Sequence, residues 1–449
     1  MDSTALRRVA QRYLSPDRIS ELADLFGVVE RDRKKNVEIL VQALVEGAGK
    51  SGRQADALTA YLATGTARPV VRGCFYAWFG TPLAMLLAGL ANGALMANRG
   101  VKPRLPKRLR KLGVSDIVLF DSETLNLSDE LEDVLPGTSG AALKIHKLFS
   151  VGRNNVIDYF VTPAREHDAV HLHLGPHLRG CLLVVDLGHA SHDLVRRARE
   201  HGIHLVLRLK SNWRPHMMAT VDELGDLVPL SGKPLSETIT DVRTDELFGD
   251  PYDWDVELGG ERIPARLVGV PGEEKYHFCI TTLGRDCDPA WVCSLYRLRW
   301  EIECDNKRDK TGSGLTRIEA RKLESVLTLV HASMLRTIIV NALVETHLRA
   351  RRTCEPPLHG LALSLALSSL GGHLAAALLH DRPEDWRAIA RAIHVRAHDP
   401  NWRRRPSRVD RARGIVAAPG RPKRARLADC PMEAAPYRWG AEVERRCAF

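Results

Sequence analysis

The stretch SLYRLRWEIECDNKRDK, residues 294–310, sets a polar stripe beside an apolar one on one helix. With Tyr296 as zero and about 100° per residue, Arg299 falls near ~300°, Glu303 near ~340° and Lys310 near ~320°. Trp300 lies at the edge of that stripe, near ~40°. Leu295, Leu298 and Ile302 fall between about 200° and 260°, on another face. One side of this helix can be buried while the other presents Tyr, Arg, Glu, Lys and Trp. A surface helix carrying Glu and Lys only for solubility leaves the two aromatics unexplained. The helix is expected to run unbroken from Asp288 to Gly312, with a second long helix over Ile318 to Arg351.

On the N-terminal side the character is different. From Ser115 the chain reads as a buried strand, DIVLFD, ending in Asp121. LKIHKLFSV and VIDYFVT follow as strands, then CLLVVD, which ends in Asp186. HDLVRRAREHG reads as a helix closed by Gly202, and IHLVLRLK as the next strand. This order predicts a mixed α/β sheet. Between about 215 and 286, LSETITDV, YDWDVEL, ARLVGV and YHFCITTL read as further strands separated by turn residues, a β-rich insertion.

The first hundred residues are helical in pattern. Ser15 before Pro16 is a helix start, and Ile19, Leu22, Leu25 and Phe26 recur at helical spacing. Both a helix-turn-helix-like DNA module and a plain bundle fit that periodicity. Leu83 to Ala97 is the most apolar run, yet it falls short of the roughly 20 residues a membrane span needs and reads as a buried helix. A basic stretch, RGVKPRLPKRLRK at 99–111, reads as a linker or a DNA-contacting arm.

The whole chain has 449 residues and a formal charge of +10, which favours a polyanionic partner, nucleic acid above all. Its nine cysteines are odd in number and form no CxxC pair, so neither a disulfide framework nor a zinc ribbon is indicated. His167, His171, His173 and His177 cluster loosely with no Cys among them and no diagnostic ligand spacing. From Arg403 to Arg426 ten Lys and Arg residues stand against one acid, Asp410, a block suited to non-specific phosphate contact.

Tyr296, Arg299, Glu303 and Lys310 match Y-x2-R-x3-E-x6-K, and in this the chain resembles the bacterial insertion-sequence DDE transposases with the Tyr-Arg-Glu-Lys signature, the insertion-sequence-four-like family. RWEIE at 299–303 is similar to that family's RWxIE, and FDSETLNL at 120–127 to its first-aspartate strand. AREHD at 164–168 resembles its REHD, VVDLGH at 184–189 its second-aspartate strand, and GIHLVLRLK at 202–210 the strand after it. The resemblance covers about residues 113 to 345. The chain departs from the pattern at Ser122 and Glu123, at Leu187 and His189, and at Cys304, Asp305 and Asn306, where the family usually runs apolar.

The resemblance implies a ribonuclease-H-like catalytic core interrupted by the β-rich insertion, with a helical N-terminal domain. The implied division is a helical DNA-binding domain and basic linker over 1–112 and the first part of the core over 113–214. The insertion follows over 215–286, the second part of the core over 287–385, and a basic C-terminal segment over 386–449. Asp121, Asp186 and Glu303 are the implied catalytic and metal-binding carboxylates, holding Mg²⁺ or Mn²⁺ as two ions. Tyr296, Arg299, Trp300 and Lys310 are the implied DNA contacts. The expected activity is excision and insertion of an insertion sequence by metal-dependent hydrolysis and strand transfer. The expected partners are double-stranded DNA with terminal inverted repeats, target DNA and a second copy of the chain, with no membrane; the expected setting is the bacterial cytoplasm, at the nucleoid. Two other readings share the motif: a decayed or repurposed DNA-binding protein, and a nuclease of the same fold without strand transfer.

Overall fold

A computed structural model describes residues 2–28, 36–48, 53–64, 70–221, 226–230, 251–272, 276–316, 318–350, 356–370 and 372–399. The strand expected at LSETITDV and the basic block from Arg403 to Arg426 lie outside the described residues.

The chain opens on helices α1 (Ser3–Leu14), α2 (Pro16–Leu25), α3 (Val37–Gly47), α4 (Gln54–Ala63), α5 (Arg72–Ala77), α6 (Thr81–Arg99) and α7 (Lys107–Lys111). Their starts are encoded locally. The Asp2 and Ser15 side chains cap α1 and α2, Pro16 pre-sets the first turn of α2, and Asn36 accepts from the Ile39 amide at 2.8 Å to start α3. The basic stretch before residue 112 is ordered. Leu105 and Leu109 are buried, and the Arg108 guanidinium lies 4.4 Å from the Trp291 ring and 2.9 Å from Asp288.

Among the described residues, ten strands form one mixed sheet in the order β3-β2-β1-β4-β5-β10-β9-β8-β6-β7. These are β1 (Ile117–Asn126), β2 (Ala142–Ser150), β3 (Asn155–Pro163), β4 (Leu182–Val185), β5 (His204–Arg208), β6 (His216–Val221), β7 (Leu227–Pro229), β8 (Tyr252–Leu258), β9 (Ile263–Pro271) and β10 (Tyr276–Thr281). β1, β4 and β5 are parallel neighbours, and the other ladders are antiparallel. The strands after residue 215 therefore extend the core sheet, joined to it where β10 pairs with β5. Between β4 and β5 runs helix α8 (His192–Glu200), and the chain reverses after it at Gly202, whose φ of +65° is left-handed and costs glycine little.

One expectation needs correction. β1 does not end at Asp121. Its parallel pairing with β4 stops at Phe120, but its antiparallel pairing with β2 continues to Asn126, so Asp121 lies mid-strand.

Among the described residues the remaining helices are α9 (Pro289–Tyr296), α10 (Trp300–Gly312), α11 (Leu323–Ala350), α12 (Gly360–Ser368), α13 (His373–His380) and α14 (Pro383–Arg396). The unbroken helix expected from Asp288 to Gly312 is a second correction: a 3-10 turn, Arg297–Arg299, separates α9 from α10. The expected boundary at 386 falls within α14. That helix starts on Pro383 and buries Trp386, Ile389, Ala390 and Ile393, a helical i, i+3, i+4, i+7 face.

The sheet separates two apolar layers by strand alternation. Ile117, Leu119, Leu182 and Val184 face a large core built with the N-terminal helices and α11, while Val118, Phe120, Leu183 and Val185 face a smaller one with α8. The boundary at 112 thus separates helices from strands without separating one core from another. Thr81–Arg99 and Leu323–Ala350 are long and apolar enough to cross a membrane by length and composition; 89% of the most apolar window of the latter is buried inside the protein.

Candidate active site

Phe120 and Val185 are paired across the parallel β1–β4 ladder, so Asp121 on β1 and Asp186, just past the end of β4, each come one residue later. Asp121 points to the face that carries Leu119 and Leu125, toward α10. The backbone amide of Ser122 donates to its Oδ1 at 2.9 Å, and the side-chain amide of Asn306 on α10 donates to its Oδ2 at 3.1 Å.

Glu303 arrives from the first turn of α10. The guanidinium of Arg299 joins it to Asp186: Nη1 pairs with Glu303 Oε1, and Nε lies 3.5 Å from Asp186 Oδ1. Burial pushes the Asp121 carboxyl up to about 6, the negative charges of Asp186 and Glu303 add to the rise, and the Ser122 amide and Arg299 oppose it. The three carboxylates therefore feel one another. Among the described residues, no group of three or more His, Cys, Asp or Glu side chains stands at metal-binding spacing; the cation between Asp186 and Glu303 is Arg299 itself.

The other residues singled out in the sequence surround this point unevenly. Tyr296 is half-buried at the end of α9. Burial pushes its phenol up to about 12, which leaves it protonated and a hydrogen-bond donor. Trp300 is half-buried, with the Lys307 ammonium 4.3 Å from its ring centre. Lys310 is exposed, about two helical turns beyond Glu303, and its Nζ lies 3.4 Å from Glu123. Leu295, Leu298 and Ile302 are buried, as their angular positions require.

Glu123, the other acid on this face of β1, is enclosed: its side chain is 1% exposed and sits 3.7 Å from the ammonium of Lys147 on β2. Burial pushes its carboxyl up to about 7 against the pull of Lys147. Lys147 is fully buried and hydrogen-bonds to Asp309 of α10, with Asp305 at 3.7 Å. Burial works against its charge, but the surrounding carboxylates outweigh it and hold the ammonium above the ordinary lysine value. Sequence reasoning missed this network. Its signal was present: a lysine inside the apolar strand LKIHKLFSV, and polar residues after Glu303 where an apolar run was expected.

Two of the four histidines near 167–177 have local partners. His167 caps a 3-10 turn through the Ala169 amide, and His171 lies 2.7 Å from Glu166.

Residues 113–339, half of the chain, match the family model described as the transposase DDE domain. The fold is similar to a solved structure of the piggyBac transposase synaptic complex with hairpin DNA, with a TM-score of 0.51 at 12% identity over 89% of this chain and 86% of that one. No curated protein matches the chain. The match spans β1 through most of α11 and takes in Asp121, Asp186 and Glu303; the chain belongs to the transposase DDE-domain family and is a DDE transposase.

Proposed function

We propose that this transposase excises and inserts an insertion sequence by hydrolysis and strand transfer at terminal inverted repeats, with Asp121, Asp186 and Glu303 as the carboxylates that hold its divalent metal. DDE transposase domains use divalent metal ions. The observation that carries the reading is the convergence of these three acids from β1, the end of β4 and α10, within the part of the chain that matches the family. We place the chain in the group with the Tyr-Arg-Glu-Lys signature and read the sheet around β1, β4 and β5 as a ribonuclease-H-like core.

The donor set suits a hard cation. All three side chains offer oxygen, the preferred ligand of Mg²⁺ and Mn²⁺, and the excess negative charge that raises Asp121 is what such an ion would neutralise. When bound, a pair of ions supplies an activated water and stabilises the leaving oxygen of the phosphodiester. The chain's own residues do the rest. Arg299, half-buried and aimed between Asp186 and Glu303, is placed to exchange those carboxylates for a phosphate, which its planar fork binds well. Tyr296, held protonated, donates a hydrogen bond to a neighbouring phosphate oxygen. Lys310 stands exposed further along the same helix as a point charge for the DNA backbone. Trp300, at the rim, offers a ring face for stacking on a base displaced at the transposon end. The helical residues before 112 and a second copy of the chain complete the DNA complex in this reading.

The test is cleavage of a DNA carrying the element's terminal repeat under varied metal. Mg²⁺ and Mn²⁺ should support cutting, and Ca²⁺ should support binding with little cutting. Full activity in excess chelator would refute the proposal.

A further inference from the structure

Asp121 and Glu303 ride on different elements, a strand and a helix. The contacts that join those elements lie one to two turns beyond Glu303. Asn306 donates to Asp121 across the gap at 3.1 Å. On the same buried side of α10, Asp305 and Asp309 converge with Glu123 of β1 on the ammonium of Lys147. The side chains of all four are at most 1% exposed. Asp305 and Asp309 are held in turn from α11: Asn341 donates to Asp305 at 2.9 Å, and the Thr337 hydroxyl donates to Asp309.

Apolar packing would seat a helix on a sheet at less cost, because a charged group must be stripped of water before it pairs. Apolar packing is also non-directional. Hydrogen bonds from an ammonium and an amide fix both rotation and register. Lys147 stands directly opposite Asp121 in the β1–β2 ladder, so the register it imposes on α10 is referred to the strand position that carries the carboxylate.

We propose that Lys147 and Asn306 are positioning residues for the metal carboxylates: Lys147 locks α10 against β1 and β2 through Asp309, Asp305 and Glu123, and Asn306 orients Asp121 so that it and Glu303 face one cation. The proposal rests on the assignment of Asp121, Asp186 and Glu303 made above. Hydrogen-bond partners behind metal ligands typically contribute 10–100-fold in metal affinity.

The experiment is Mn²⁺ binding to the full chain without DNA, followed by the paramagnetic signal of free Mn²⁺, with melting measured in parallel. Asn306→Ala should weaken Mn²⁺ binding about 10-fold or more. Its melting temperature should stay close to that of the parent. The Mn²⁺ needed for half-maximal cleavage should rise, while the rate at saturating Mn²⁺ recovers in large part. A second variant, Lys147→Met with Asp309→Asn, removes one charge of each sign, and the two acids that remain keep a cation each, Asp305 with Arg308 and Glu123 with Lys310. It should weaken Mn²⁺ in the same way, and if it fails to fold, Asn306→Ala decides alone. Asp121→Asn is the control. Loss of Mn²⁺ binding in the control with unchanged affinity in Asn306→Ala would overturn this inference alone. Unchanged affinity in Asp121→Asn would overturn the carboxylate assignment, and the inference with it.

Discussion

Lys147 faces Asp121 directly across the β1–β2 ladder, yet its ammonium is directed at Asp309 on α10, while Asp121 accepts from Ser122 and Asn306. The strand thus carries two acids on one face with different surroundings. Asp121 opens toward Asp186, Glu303 and Arg299, and Glu123 is closed in behind it between Lys147 and Lys310.

Arg299 holds the place where a metal ion and a phosphate would both act. Arg299→Gln should therefore have opposite effects on two measurements. Mn²⁺ binding without DNA should tighten, because a competing cation is removed from between Asp186 and Glu303. Cleavage should fall about 10–100-fold, the kinetic equivalent of one charge-assisted hydrogen bond to the reacting phosphate. Weaker Mn²⁺ binding in the variant would show that the guanidinium supports the ion site instead of competing for it.

Arg336 is the structural counterpart, a fully buried guanidinium on α11. It donates to the Val45 carbonyl at 2.9 Å, the Gly312 carbonyl at 3.2 Å and the Ser364 carbonyl, joining the ends of α3 and α10 to α12. Burial pulls its pKa down to about 10, which still leaves it charged. Arg336→Met would strand several buried carbonyls, so a loss of about 3 kcal/mol or more is expected in denaturant unfolding. A loss under about 1 kcal/mol would mean that the carbonyls find other partners.

His331 makes stability depend on pH through its burial. The Tyr159 hydroxyl and His331 Nδ1 are 2.7 Å apart, and burial pulls the ring from 6.5 down to about 4. The fold holds the neutral ring, so the unfolded chain binds the extra proton. This contribution is complete above pH 6.5 and is lost as pH falls toward 4. His331→Gln should lose less stability than the parent between those pH values, by at most about 3 kcal/mol, since the ring is partly exposed. Parallel melting curves from pH 7 to 4 would contradict this.

The elements of the proposed site were legible because each rests on a local pattern. Apolar runs fixed β1, β4 and β5, and angular spacing placed Leu295, Leu298 and Ile302 inside and Glu303 toward the site. The extent of β1 was not legible: the polar residues after Asp121 break the apolar run, and pairing with β2 carries the strand onward. The 3-10 turn before Trp300 leaves no mark in composition, since periodicity over a few residues does not separate it from an α-helical turn. The Lys147 network left single signals in the sequence but not their connection. Its members are up to 186 residues apart in number, from Glu123 to Asp309, and each reads alone as a misplaced charge. Only their convergence gives them a shared role.

The central claim is that Asp121, Asp186 and Glu303 form the metal site and Glu123 does not. It is tested most directly by the rate of strand cleavage on terminal-repeat DNA, with binding of the same DNA measured alongside. Glu303→Gln should cut at least about 10³-fold more slowly while binding persists, because uncatalysed phosphodiester cleavage is so slow that a lost metal ligand is severe. Asp121→Asn and Asp186→Asn should behave alike. Glu123→Gln should stay within several-fold of the parent, as its carboxyl is enclosed between two lysines. A Glu303→Gln protein that cuts at near the parent rate, or a Glu123→Gln protein as inactive as Asp121→Asn, would contradict the account.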